Sequence, residues 1–269
     1  MKLFSTLAMV LVCLNTFAQS TQKTVDELLT KTGSTAQIKQ IEELFTAKMN
    51  EKKSTFSNPA DFDKFSTIMK SAINAKDAEG YYIEYFRLKT NEDSLKKIIV
   101  LYNDPVLQEF NNMELEANSP AKRQEQMTFF QNLQSNPPSQ SRILMLTKLN
   151  DELGGSEMAF NMIKNVIGSM AKGVNSIMPK DKQLSEAEII NKVNTELPAN
   201  FAQQLNNQIV AMSLFTYKNA SDEKLEQYLK VWQTPIGKYF VKHSFGALDY
   251  TFSKMGEKVG VAMKGMAKK

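Results

Sequence analysis

The sequence predicts an all-α fold of about a dozen helices built as two related halves. Three observations predict it. Apolar residues recur at i, i+3, i+4, i+7, and no stretch alternates as a half-buried strand would. Side chains suited to helix capping stand directly before prolines that suit a first helical turn. One apolar stripe also occurs twice, 130 residues apart.

The first eighteen residues read as a leader and not as structure. Met1-Lys2 supplies a positive start, Leu3 to Leu14 is apolar, and Asn15-Thr16-Phe17-Ala18 ends in a small residue. That is the pattern of a secretory signal peptide, with cleavage expected after Ala18 and Gln19 as the first mature residue. The apolar stretch is short for a membrane span, and Val12 is not the small residue that lipid attachment at Cys13 would need. The expected location is outside the cytoplasm, in the periplasm or secreted.

The chain has one Cys and one His. Loss of Cys13 with the leader leaves no disulfide framework, no Cys–His catalysis and no His/Cys metal cluster to expect. Stability must come from burial, which 42% hydrophobic residues can supply. The balance of 33 basic against 29 acidic residues gives no nucleic-acid signature, and no cofactor is expected. No later stretch is apolar enough to span a bilayer.

Taken in order, the first helices flank Gly33-Ser34. Asn58-Pro59 then starts a helix, Tyr81, Tyr82, Tyr85 and Phe86 crowd another, and Asn91-Glu92-Asp93 opens a third with acids facing the positive helix end. Leu95, Ile98, Ile99 and Tyr102 form the first stripe, and Asp104-Pro105 and Ser119-Pro120 start the helices after it. Gln134-Ser135-Asn136-Pro137-Pro138-Ser139 is the seam, since paired prolines stop helices. The halves are therefore 19–138 and 139–269, with helical units over 22–134 and 140–269.

In the second half, Leu225, Tyr228, Leu229 and Trp232 repeat the stripe. Pro235, Ile236, Phe240 and Ala247 then match Pro105, Val106, Phe110 and Ala117. Upstream, Gly33-Ser34 pairs with Gly155-Ser156, Ile38 with Phe160, Ile41 with Ile163, and Leu44-Phe45 with Val166-Ile167, at an offset of 122. The difference from 130 places eight extra residues in the second copy, around Pro179–Leu184. Ser185-Glu186-Ala187-Glu188 reads as a capping box, and Ser221 and Thr234-Pro235 as further caps.

The segment from Ser221 to Leu225, followed by Tyr228 to Phe240, resembles the bacterial domain of unknown function 2059 family. Trp232 takes an aromatic slot, Thr234 stands for serine, and Pro235, Gly237 and Lys238 match the Ser-Pro-x-Gly-x-Lys pattern. In the first copy Tyr102, Asp104 and Pro105 match, but Leu107 and Gln108 replace the Gly and Lys. The resemblance implies an exported all-helical protein and carries no catalytic residues.

Candidate sites are few. His243 occupies an apolar slot opposite Met113 in the repeat register and reads as a core-edge residue. Ser169-to-Lys172 and Ser221-to-Lys224 spell S-x-x-K, and Lys31-Thr32-Gly33 spells K-T-G, but the order and helical context are wrong for a serine hydrolase. Met158, Met162 and Met170 share a helix face with Ile163, Val166, Val174 and Ile177, which is core filling before it is a Cu(I) site.

The segment 253–269 holds five lysines and one acid. Met255, Val259, Met263 and Met266 lie on one side, and Gly256 and Gly260 share a face. Lys254, Lys258, Lys264 and Lys268 could meet an anionic membrane or an acidic partner, or merely solubilise a fraying end. Tyr81 and Tyr82 are the other candidate contact surface. The expectation is a non-catalytic envelope interaction or scaffold module whose partner is an envelope protein or lipid. The alternative is a carrier of a lipid or small hydrophobic ligand in an inter-helix groove, and a cryptic serine hydrolase stands last.

Overall fold

Among the residues that the computed structural model describes (22–51, 53–56, 58–133, 135–176 and 178–267), every long element is an α-helix and none is a strand. The leader over 1–18, Gln19, Gln134, Ile177, Lys268 and Lys269 lie outside the described residues. So do the side chains of Ile41, Leu44, Met170, Val174, Met263, Lys264 and Met266. The first half holds α1 (22–31), α2 (Ser34–Glu51), α3 (Pro59–Ala72), α4 (Ala75–Lys89), α5 (Glu92–Leu101), α6 (Pro105–Ala117) and α7 (Arg123–Asn132). Residues 135–139 are non-helical. The second half holds α8 (Gln140–Leu153), α9 (Gly155–Asn175), α10 (Glu186–Glu196), α11 (Phe201–Thr216), α12 (Asp222–Gln233) and α13 (Pro235–Ala267). No helix among the described residues is long and apolar enough to cross a membrane.

The helix starts follow from capping chemistry. Asn58 accepts a hydrogen bond from the Ala60 amide and Asp104 from the Val106 amide, each before a proline that has no amide to satisfy. Ser185 and Glu188 form the reciprocal capping box, and Ser221 accepts from the Lys224 amide. Ser119 departs from the expectation. It makes no side-chain cap bond and heads only a three-residue 3-10 turn, Pro120–Lys122, which closes through the Ser119 carbonyl and the Lys122 amide.

The glycine turns also correct the register. Gly33, at φ +69°, joins α1 to α2. Its counterpart in the left-handed region is Gly154, at φ +61°, one residue before the Gly155 that the 122-residue offset pairs with it. Gly155 answers to a different constraint: a Cβ there would stand 2.6 Å from Asn150 Oδ1.

The two halves share one core. Leu95, Ile98 and Ile99 on α5, Tyr102 after it and Phe110 on α6 are buried together with Leu225, Tyr228, Leu229 and Trp232 on α12 and Phe240 on α13. Helix α5 packs on α13, and α12 packs on α6, so each half lends a helix to the other. Tyr102 and Trp232, matched by the 130-residue offset, meet edge-on with ring centroids 6.4 Å apart. Tyr102 also meets Phe240 at 5.5 Å, while Phe110 stacks on Tyr228 at 4.2 Å. The helix contacts α5 on α13 and α12 on α6 correspond to each other under the same offset.

Gly237 explains one asymmetry between the halves. A Cβ there would stand 2.9 Å from the Trp232 Cα and closer still to the Val231 carbonyl, so glycine lets α13 fold back tightly on α12. Leu107, which stands in its place in the first copy, is instead buried in the core.

Helix α13, 33 residues long, lies along α9 and also covers α3, α4 and α5. The crossing with α9 is made by small residues: Gly260 lies against Gly173 and Gly256 against Ser169, with room for no side chain between the backbones. Met255 and Val259 are buried, Met255 in the main core and Val259 in a smaller cluster with Met49, Phe62 and Met69. The described part of segment 253–269 therefore continues α13, with its apolar stripe facing inward.

Two expectations follow. Trp232→Ala removes a buried aromatic at the meeting point of the halves and costs roughly 3–5 kcal/mol in chemical denaturation; a loss below about 1 kcal/mol contradicts its packing role. Gly173→Ala forces the α9–α13 backbones apart and lowers Tm. Gly168→Ala, where an added Cβ meets nothing within 4 Å, raises stability by up to about 1 kcal/mol through helix propensity. Equal effects from the two glycine variants would remove the close crossing as a constraint.

Candidate functional site

Where the halves meet, the rings leave a cavity of about 270 Å³. The turn between α1 and α2 contributes Thr32, the start of α2 Ser34 and Gln37, α4 contributes Tyr82, and Tyr102 enters from the end of α5. Asn111 and Glu114 come from α6, Tyr228 and Trp232 from α12, and Phe240, Ser244 and Phe245 from α13. Among the described residues no Lys, Arg or His lines it, and Glu114 is the one carboxylate.

Glu114 sits on the same α6 face as Phe110 and Ala117, i+4 and i−3 from them, so the stripe that buries those residues also carries the acid inward. The Tyr217 and Tyr228 hydroxyls both donate to Glu114 Oε1, at 2.7 and 2.6 Å. No described residue bonds to Oε2. Burial pushes the Glu114 carboxyl above its ordinary value, opposed by the two phenol hydrogen bonds. The same enclosure, together with the adjacent carboxylate, raises the Tyr217 and Tyr228 phenols well above 10.

Tyr217 is fixed from behind. Its carbonyl accepts from Arg142 Nη2 at 2.6 Å, and Arg142 also pairs with Asp222, which ties α8 to the turn between α11 and α12. The Trp232 indole Nε1 is buried with no hydrogen-bond partner. A donor of this kind costs about 1–3 kcal/mol when left unsatisfied. The Tyr82 hydroxyl is near Ser34 and Ser244, and burial raises its pKa.

The residues singled out from sequence fall into two places. Tyr82 lines this cavity, while Tyr81, Lys254 and Lys258 meet in a separate open groove with Glu84, Tyr250 and Glu257. Within that groove Lys254 pairs with Glu257 at 3.2 Å and Lys258 pairs with Asp77, so its charges are largely matched in place. Lys258 and Asn74 hold the Asp77 carboxyl below its ordinary value. The side chain of Lys264, like Lys268, lies outside the described residues.

His243 is half-buried, 4.3 Å from Tyr239 and 6.1 Å from Tyr85 between ring centroids, and does not line the cavity. Its Nδ1 has no partner, and burial lowers its pKa with help from Lys242. Among the S-x-x-K pairs, Ser221 caps α12, Ser169 packs on Gly256, and Lys172 pairs with Glu186. Lys31 of K-T-G bonds the Ile99 carbonyl at 3.3 Å and also reaches Asn103.

Sequence reasoning missed Glu114. An acid within the run Glu109 to Glu116 looks like part of a solvated face. The usable signal was its place in the apolar stripe, the same signal that drew notice to His243. In the 130-residue register Glu114 matches Ser244, and both face the cavity. The chain matches no protein-family model, and no curated protein or solved structure is detectably similar to it.

The raised Glu114 carboxyl gives a signed pH dependence. A group whose native pKa exceeds its unfolded value stabilises fully below the unfolded value, near 4.5, and that contribution is lost as pH rises through the native value. The stability advantage of the wild type over Glu114→Gln, read from denaturation midpoints, is therefore expected to shrink as pH rises from 4.5. A pH-independent difference contradicts burial of a titrating carboxyl.

Proposed function

We propose that this chain is an exported binding protein, not an enzyme, and that it holds a small ligand in the cavity between its halves. One observation carries the reading: within the core that the halves share lies a partly open, aromatic-lined cavity with a carboxylate in its lining. About 270 Å³ suits a small molecule or one head group better than a lipid chain. Ser34 and Ser244 stand in the lining without a histidine or lysine to deprotonate them, which argues against a hydrolase. Export rests on the Met1–Ala18 pattern. A purely scaffolding module in the envelope leaves the cavity and its carboxylate without a role.

The test is native mass spectrometry of the protein expressed with its leader and recovered without denaturation. A small-molecule adduct is expected on the folded ion, absent after unfolding, and absent from a Ser244→Phe variant that fills the cavity but keeps its helical circular dichroism. Refilling with the identified compound at about a hundredfold over Kd should stabilise the protein by roughly 2.7 kcal/mol. A chain that carries no adduct, and whose Tm no small-molecule panel moves, is not a binding protein of this kind.

A further inference from the structure

Resting on the reading of the cavity as a ligand site, we propose that its ligand carries a substituted ammonium group, held by Glu114 and the rings around it. Three observations converge. Glu114 is the single charged group in the lining and meets no basic side chain there. The other acids described in the groove and on the surface include many with a lysine or arginine partner, such as Asp77, Glu125, Asp222 and Glu257. Both phenol bonds land on Oε1, so Oε2 is the acceptor left for a ligand.

The second observation is the set of rings. Tyr82, Tyr102, Tyr228, Trp232 and Phe240 line the same cavity as the carboxylate, and electron-rich rings with a nearby anion are the composition of an ammonium cage. An anionic ligand would meet repulsion from Glu114 with no cation in the lining to offset it. The third observation is Trp232 Nε1, a buried donor with no protein acceptor, in a residue that lines the same space. A hydrogen-bond acceptor on the ligand, such as a hydroxyl oxygen, would satisfy it. The shared chemistry is an amino alcohol head, whether free in solution or on a lipid.

Trp232 is the only tryptophan in the chain, so its fluorescence reports on the site directly. The experiment titrates the protein with choline, with 3,3-dimethyl-1-butanol as the neutral isostere of the same shape, and with 3,3-dimethylbutyrate as the anionic one. Saturable change with choline at an affinity at least tenfold above both isosteres is expected. Glu114→Gln, which keeps an acceptor for the two phenols, is expected to lose that preference while still binding the neutral isostere. A parallel titration with dihexanoylphosphatidylcholine separates the sources: a response to both assigns a lipid head, and a response to choline alone assigns a free ammonium compound.

Equal or tighter binding of either isostere in the wild type overturns the ammonium assignment and leaves the cavity reading standing. No saturable response to any of the probes, with no adduct in the native spectrum, overturns both. The comparison of choline with its isosteres uses only the wild-type chain, so the assignment stays falsifiable if Glu114→Gln fails to fold.

Discussion

The exchange of helices between the halves is the constraint from which the rest of the structure follows. With α5 on α13, and α12 on α6 as well as on α8 and α13, the two stripes are buried in one shared core. Leu95, Ile98, Leu225 and Phe110 are almost wholly inaccessible there. A chain with a single cysteine can form no internal disulfide and depends on such burial, since chain entropy opposes folding at every residue. The reciprocal form also explains why Tyr102 and Trp232, far apart in sequence, end up in contact.

The same constraint produces the cavity. Tyr102, Trp232, Phe240 and Tyr228 meet edge-on or stacked, and bulky rings in those attitudes leave space between them. The lining differs between the two sides at this point: Glu114 stands on one and Ser244 on the other. A carboxylate in such a place is costly unless it is hydrogen-bonded, which accounts for the two phenols aimed at one of its oxygens.

Long helix α13 joins the core to the basic end of the chain. Its glycines at 256 and 260 bring α9 close, and this turns Met255 and Val259 inward. The lysines next to them then face acids: Lys258 meets Asp77 on α4, and Lys254 meets Glu257 one turn away. A basic amphipathic segment whose apolar side is already covered has little left with which to enter a bilayer, so charge alone would have to carry any membrane contact of the described part.

The all-α class, the helix starts at Pro59, Pro105, Ser185, Ser221 and Pro235, and the buried stripes were legible in the sequence by itself. Those features are local: a cap bonds an amide two or three residues away, and a stripe needs only a 3.6-residue period. Ser119 and Gly155 escaped because a cap or a glycine in the right sequence position can serve a short turn or a close approach instead. The cavity, the inward turn of Glu114 and the division of Tyr81 from Tyr82 were decided only by tertiary structure. Which acid on α6 faces the core depends on what α11 and α12 place opposite it, and Tyr217 and Tyr228 lie more than a hundred residues downstream. Periodicity says which side of a helix is buried; only the packed neighbour says whether that side meets a side chain or a space.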